Sequence, residues 1–241
     1  VAKLENGTKT DILGGIHYKG DAHLYPQKFM QFIKEELKRL KVEIHSGTTV
    51  QDFTFDHHKI TKVVTDKGKF STDEVVLAAG SWSPSLAKKL GISVSILPGK
   101  GYSFTLKDQG HKPSIPSILC EGKVAVTPMN NDIRFGGTME ITHTGDTKIN
   151  KNRLQGIINS INEFYPDMQV GMPENKDTWF GFRPCTPSGM PIITRAKKVV
   201  NLTFATGHAM MGLSLAPATG KIVSEIISGK NTSVNTQMFQ L

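Results

Sequence analysis

The chain has 241 residues, 38% hydrophobic and 21% charged, with 29 Lys and Arg against 21 Asp and Glu for a formal charge of +8. That length buries one good core, or a core with a smaller lobe, and the apolar run at 75–79 falls far below the roughly 20 residues that cross a bilayer. Two cysteines, Cys120 and Cys185, are too few for a disulfide framework and suit a reducing cytoplasm, while scattered lysines without interleaved aromatics argue against nucleic acid as a partner.

The opening VAKLENGTKT has no initiator methionine and no secretory pattern, and reads as the middle of a longer chain. Over 25–40, Phe29, Phe32, Ile33, Leu37 and Leu40 recur at helical spacing with Pro26 near the first turn, which predicts a surface helix. Runs at 42–45, 50–55 and 60–65, the last two joined by a polar turn at 56–59, predict antiparallel strands. Residues 73–79 read as a further strand, with Val75, Val76 and Leu77 continuous enough to be buried on both faces. From 98 to 134, short runs broken by Pro113, Pro116, Gly122 and Pro128 predict a separate, mainly antiparallel sheet. Leu154, Ile157, Ile158 and Ile161 mark a helix over 150–164 that stops at Pro166. The remainder reads as a loop-rich block at 181–191, a short strand near 199–204, a glycine turn, and a last helix from about 215 to 227, ending before Gly229.

Three constellations of small residues could carry chemistry. Ala78, Ala79 and Gly80 end the strand at 75–77, followed by Trp82, and let a backbone or flat ligand approach closely; alone, they more readily describe a tight strand-to-helix connection. Gly181, Phe182, Arg183 and Pro184 hold an arginine whose planar fork matches both oxygens of a carboxylate; a surface arginine in a proline-rich turn is the alternative. Thr206, Gly207 and His208, then Met211, Gly212, Leu213 and Ser214, enter the last helix, whose first N–H groups favour electron-rich ligand atoms; a packing turn is the alternative here. His57, His58, His17 and His23 show no ligand spacing, so no metal is expected. The stretch 98–103 lacks phosphate-loop spacing, and no nucleophile elbow is present.

In this order and at these separations, the three constellations resemble the D-amino-acid oxidase superfamily of FAD-dependent oxidoreductases over residues 14–229. The likeness is closest to bacterial D-amino-acid dehydrogenases and glycine oxidase-like enzymes. It implies an α+β fold, an α/β flavoprotein fragment. A partial FAD-binding domain (21–95 and 181–241) would lack its amino-terminal Gly-x-Gly-x-x-Gly βαβ unit. A mainly antiparallel substrate-binding sheet with helices (96–180) would be joined by 1–20. The resemblance implies that Arg183 and the Tyr102 hydroxyl grip a substrate carboxylate and that His208 lies beside the flavin. It implies FAD contacts from Val50, Ala78, Ala79, Gly80, Trp82, Gly181, Pro184, Thr206, Gly207, Met211, Gly212, Leu213 and Ser214.

Two departures bear on the substrate. Thr186 stands where eukaryotic members carry a second arginine, and Met210 and Met211 replace a polar pair of the glycine oxidases, which implies a more apolar pocket. The implied reaction is oxidation of a D-amino acid, by hydride transfer from the α-carbon to flavin N5, to an imine that hydrolyses to a 2-oxo acid and ammonia. Oxygen or a quinone would be the electron acceptor, and the parent enzyme would be cytoplasmic, peripheral at the inner face of the membrane. A glycine- or sarcosine-type amine oxidase and a noncatalytic domain that lost its cofactor are the alternatives. Two expectations follow: 25–82 should pack with 181–227, and the chain alone should hold an incomplete FAD site, purify colourless and be inactive.

Overall fold

A computed structural model describes residue 1, residues 3–107 and residues 112–241, so positions 108–111 of the expected 98–134 sheet lie outside the described residues. The helices are α1 (Pro26–Arg39), α2 (Ser83–Lys89), α3 (Lys151–Phe164) and α4 (Gly212–Ile227). The strands are β1 (Val50–Asp56), β2 (Lys59–Thr65), β3 (Gly68–Ser71), β4 (Val75–Leu77), β5 (Leu97–Leu106), β6 (Ser117–Leu119), β7 (Val124–Met129), β8 (Asp132–Ile141), β9 (Thr178–Cys185), β10 (Ile192–Arg195) and β11 (Leu202–Thr206). Two compact units result. The first takes Val1–Ile44, Gly101–Glu140 and Thr147–Gly181, and the second takes His45–Lys100, Ile141–Asp146 and Phe182–Leu241.

The first unit holds most of a five-stranded sheet of order β6-β7-β8-β5-β9, in which β7 runs antiparallel to both β6 and β8. Alternation along the strands sends Tyr102, Phe104, Val124, Val126, Ile133 and Phe135 to one face, where they bury against Leu154, Ile157, Ile158 and Ile161 of α3. Asn150 caps α3 by accepting the Asn152 N–H at 3.1 Å. Thr138, at φ +55°, interrupts the alternation of β8 and brings Glu140 to the Tyr102 hydroxyl, which donates to it. Asn150 and Arg153 donate to the same carboxylate at 3.0 and 3.3 Å, tying the helix start to the sheet. Burial opposes the Glu140 charge, but these donors outweigh it and hold the carboxyl below its usual range.

The helix α1 also belongs to this unit, anchored by the Tyr25 hydroxyl donating to Asn130 Oδ1 at 2.8 Å. It therefore does not group with 182–227 as its position before the β-meander suggested. Residues 42–45 form no strand, because Lys41 at φ +59° turns the chain and the Val42 N–H bonds back to the Leu37 carbonyl.

The second unit contains an antiparallel β1-β2-β3 sheet and a β10-β11-β4 sheet in which β11 is antiparallel to β10 and parallel to β4. Phe53, Ile60, Leu77, Leu90, Ile96, Leu202 and Phe204 lie in one core. Asn201, 3% exposed, joins the two sheets: its Oδ1 accepts from Ile60 N–H, and its Nδ2 donates to the Ile60 and Asp73 carbonyls, all at 2.8 Å. β4 is an edge strand and Val76 is 40% exposed, so this run is not buried on both faces. Residues 178–185 are strand rather than the start of a loop, and α4 begins at Gly212, with Pro217 inside it.

Candidate functional site

Ligands of parallel sheets bind beyond the carboxyl ends of the strands, where the chain turns away and backbone groups are left to face a guest. In the second unit β4 and β11 are the parallel pair, and the small residues Ala78, Ala79, Gly80 and Thr206, Gly207 sit at that end. The Thr206 hydroxyl donates to the Gly80 carbonyl at 3.3 Å and lies 2.9 Å from the Ser83 hydroxyl. Gly80 has φ +53° with open space where a Cβ would stand; Gly207 has φ +79°, and a Cβ there would come within 2.6 Å of Thr186 Cγ2. Only glycine suits both constraints at 207.

The end of β9 reaches the same place. The Ala209 N–H donates to the Pro184 carbonyl at 3.0 Å, Cys185 forms a β-bridge with His208, and the Ser81 hydroxyl donates to the Phe182 carbonyl at 3.3 Å. Trp82 and Phe182 meet edge to face with centroids 5.9 Å apart. The segments 80–82, 182–185 and 206–212 thus converge, although each alone described an ordinary turn. Arg183 is half-buried here; burial lowers its pKa, yet a guanidinium stays charged at neutral pH. Burial also holds His208 below the usual 6.5, which favours the neutral ring, and its Nε2 lies 2.9 Å from the Thr219 hydroxyl of α4.

No side chain caps the start of α4 at Met211, and Leu213 and Ser214 in its first turn are exposed. Uncapped N–H groups beside a glycine-lined strand end suit the acceptor atoms on the carbonyl edge of a flat ring, a chemistry compatible with the isoalloxazine of FAD. Met210 and Met211 are 71% and 55% exposed at the same turn. Val50 opens β1 and packs at the margin of the second unit's core.

Gly181 and Tyr102 belong to the first unit. A Cβ at Gly181 would collide with the Trp179 indole, which gives that glycine a packing reason. Tyr102 is 1% exposed on the α3-facing side of its sheet, and its hydroxyl donates to Glu140. Its expected share in a carboxylate contact with Arg183 is therefore withdrawn: strand alternation commits the side chain to the core. Ser83, which bonds Thr206 at the site, and Asn201, which braces the start of the same strand pair, carry no motif; only their polar type in apolar surroundings could have marked them. Among the described residues, no helix is long and apolar enough to cross a membrane, and no three His, Cys, Asp or Glu side chains gather as a metal site.

The sequence profile of the DAO family, FAD dependent oxidoreductase, matches residues 1–226. The chain belongs to this family. It is 34% identical over 233 residues to the D-amino acid dehydrogenase of Granulibacter bethesdensis, covering 93% of this chain and 53% of that protein. The D-amino acid dehydrogenase of Neisseria gonorrhoeae is 31% identical over 232 residues, covering 95% and 54%. The chain thus spans about half the length of these relatives. Among solved structures, L-proline dehydrogenase from P. horikoshii shares the fold with a TM-score of 0.79 at 23% identity, covering 89% of this chain and 58% of that one. Glycine oxidase from Geobacillus kaustophilus follows with a TM-score of 0.67 at 25% identity, covering 80% and 51%.

Proposed function

We propose that this chain supplies the substrate-carboxylate and flavin-ring contacts of an FAD-dependent enzyme that oxidatively deaminates a D-amino acid. The observation that carries the reading is the convergence of the Arg183 strand with Gly80 and the uncapped start of α4. The relatives named D-amino acid dehydrogenase support it. FAD, when bound, accepts a hydride from the substrate α-carbon. Loss of that hydride and of one amine proton gives the imine, and water then gives the 2-oxo acid and ammonia. Arg183 holds the carboxylate with its fork, which orients the α-C–H bond. The N–H groups of Gly212, Leu213 and Ser214 would hold the carbonyl edge of the ring and would stabilise negative charge there. Neutral His208 holds the 206–211 turn against α4 through Thr219. No side-chain base is required when the amine arrives neutral.

The likeness to glycine oxidase favours a second reading, glycine or sarcosine as substrate. A cytoplasmic location is supported by the low cysteine content, and a peripheral position at the inner membrane face by the +8 charge; oxygen or a quinone would be the electron acceptor, and oxygen uptake against quinone reduction distinguishes them. The central test is kcat/KM for D-alanine, glycine, sarcosine and amines without a carboxylate, in the longer protein and its Arg183→Lys variant. A charge-assisted fork is worth roughly 1.5–3 kcal/mol, so Arg183→Lys should lower kcat/KM for D-alanine by about one to two orders of magnitude and leave the carboxylate-free amines nearly unchanged. Equal losses with flavin retained would assign Arg183 to the cofactor or the fold.

A further inference from the structure

Strand alternation puts the half-buried guanidinium of Arg134 on the face of the five-stranded sheet opposite α3. Ile133 and Phe135 enter the core, so Arg134 between them projects to the other face, as does Ser103, which stands between Tyr102 and Phe104. Arg134 Nη2 donates to Ser103 Oγ at 2.9 Å, and the guanidinium carbon lies 5.8 Å from the Trp179 ring centroid. Because β5 lies between β8 and β9, the side chain is laid across the sheet and fixed at both ends. The two glycines of this face, Gly136 beside Ser103 and Gly181 under the indole, leave the room it needs.

Neither of these partners is negative, and among the described residues no carboxylate lies within ion-pair distance of Arg134. A half-buried cation so placed still has donors to offer, and an anion would offset its desolvation better than water does. The space next to it is suitable. A cavity of about 380 Å³ is lined by Arg134, Tyr25, Lys28, Thr105, Asn130 and Asp132, among others, which is room for a small molecule. Lys28 Nζ lies 4.7 Å from the Tyr25 ring centroid, and Asn130 fixes the Tyr25 hydroxyl, so the second cation of the cavity is also held on an aromatic. Two cations against the single carboxylate of Asp132 leave the lining positive.

We propose that Arg134 anchors a carboxylate-binding subsite in this cavity, whose ligand is a small organic acid carrying one carboxylate. The ligand's identity, an α-amino acid or a 2-oxo acid, rests on the amino-acid reading above; the site itself does not. With an amino acid, Asp132 would take the ammonium while Arg134 takes the carboxylate.

Trp179 is the reporter. In the full chain carrying Trp82→Phe it is the sole tryptophan, and its emission is followed during titration with D-alanine, pyruvate and D-alaninamide, which lacks the carboxylate. Saturable change is expected with D-alanine and pyruvate and none with D-alaninamide. Arg134→Leu should weaken binding by about tenfold to a hundredfold, and Arg134→Lys by at least several-fold, since the fork is lost while stem and charge remain. Tighter binding of D-alanine assigns the amino acid, and tighter binding of pyruvate the 2-oxo acid; either supports the site. No saturable binding by the parent chain up to tens of millimolar, or unchanged affinity in a folded Arg134→Leu chain, overturns it. If that variant does not fold, unchanged affinity in Arg134→Lys does so instead. Arg183→Lys titrated in parallel separates the two proposals: the Trp179 signal should persist there, and its loss in that variant alone would overturn the subsite and leave the Arg183 reading standing.

Discussion

Replacement of Asn201 by alanine should destabilise the second unit more than any exposed substitution, by an amount that can be worked from its contacts. The side chain makes three hydrogen bonds of 2.8 Å, two of them to the peptide groups of Ile60, a residue with no exposed surface, and one to the carbonyl of exposed Asp73. Water can replace the bond at Asp73. It cannot easily reach the N–H and carbonyl of Ile60, and each buried group left without a partner costs about 1–3 kcal/mol. The expected loss is therefore about 2–6 kcal/mol. With an m-value of about 2 kcal/mol per molar in urea, the unfolding midpoint should fall by about 1–3 M. Trp82 reports this unit and Trp179 the other, so the measurement uses a Trp179→Phe background and follows Trp82 emission. Asn201→Asp should be worse than alanine, because it faces two carbonyls with a carboxylate and no donor. A loss below about 0.5 kcal/mol for Asn201→Ala would refute the claim that this residue joins the two sheets.

Lys100 has no exposed side-chain surface and lies 3.1 Å from Asp146, which is 27% exposed and also accepts from Thr142. Asp146→Ala should therefore cost about 3 kcal/mol or more in urea unfolding, and Lys100→Met clearly less, because only the first leaves a buried cation without its carboxylate; equal losses would contradict this. Gly207→Ala combines a left-handed backbone with a clash at Thr186 and should cost about 2–4 kcal/mol, read as a lowered Tm; an unchanged Tm would show that the turn relaxes freely. His208 has its pKa lowered by burial, so the unfolded chain binds its proton more readily. The contribution to stability is intact above the usual 6.5 and is lost as pH falls from there through the lower folded value; His208→Gln should flatten that part of the stability profile.

Local pattern was enough for α1, α3, β1 and β2, because helical and strand periodicities are written into neighbouring residues, and Pro and Gly mark the ends. It was also enough to single out three clusters of small residues, since their backbone freedom is a local property. Which of those clusters meet was decided by the tertiary structure: the parallel pairing of β4 with β11 brings Gly80 to Thr206 and Ser83 to the same hydroxyl, 123 positions apart. The same holds for direction. Tyr102 and Arg134 look like interchangeable polar-tipped strand residues, and the parity of their strands sends one into the core and the other to the open face. Asn201 is an unremarkable amide in sequence, yet burial between two sheets makes it the partner of three backbone groups. The sequence by itself determined which segments could fold and where the backbone could bend; long-range pairing and strand parity, which no local window contains, decided which side chains face a ligand.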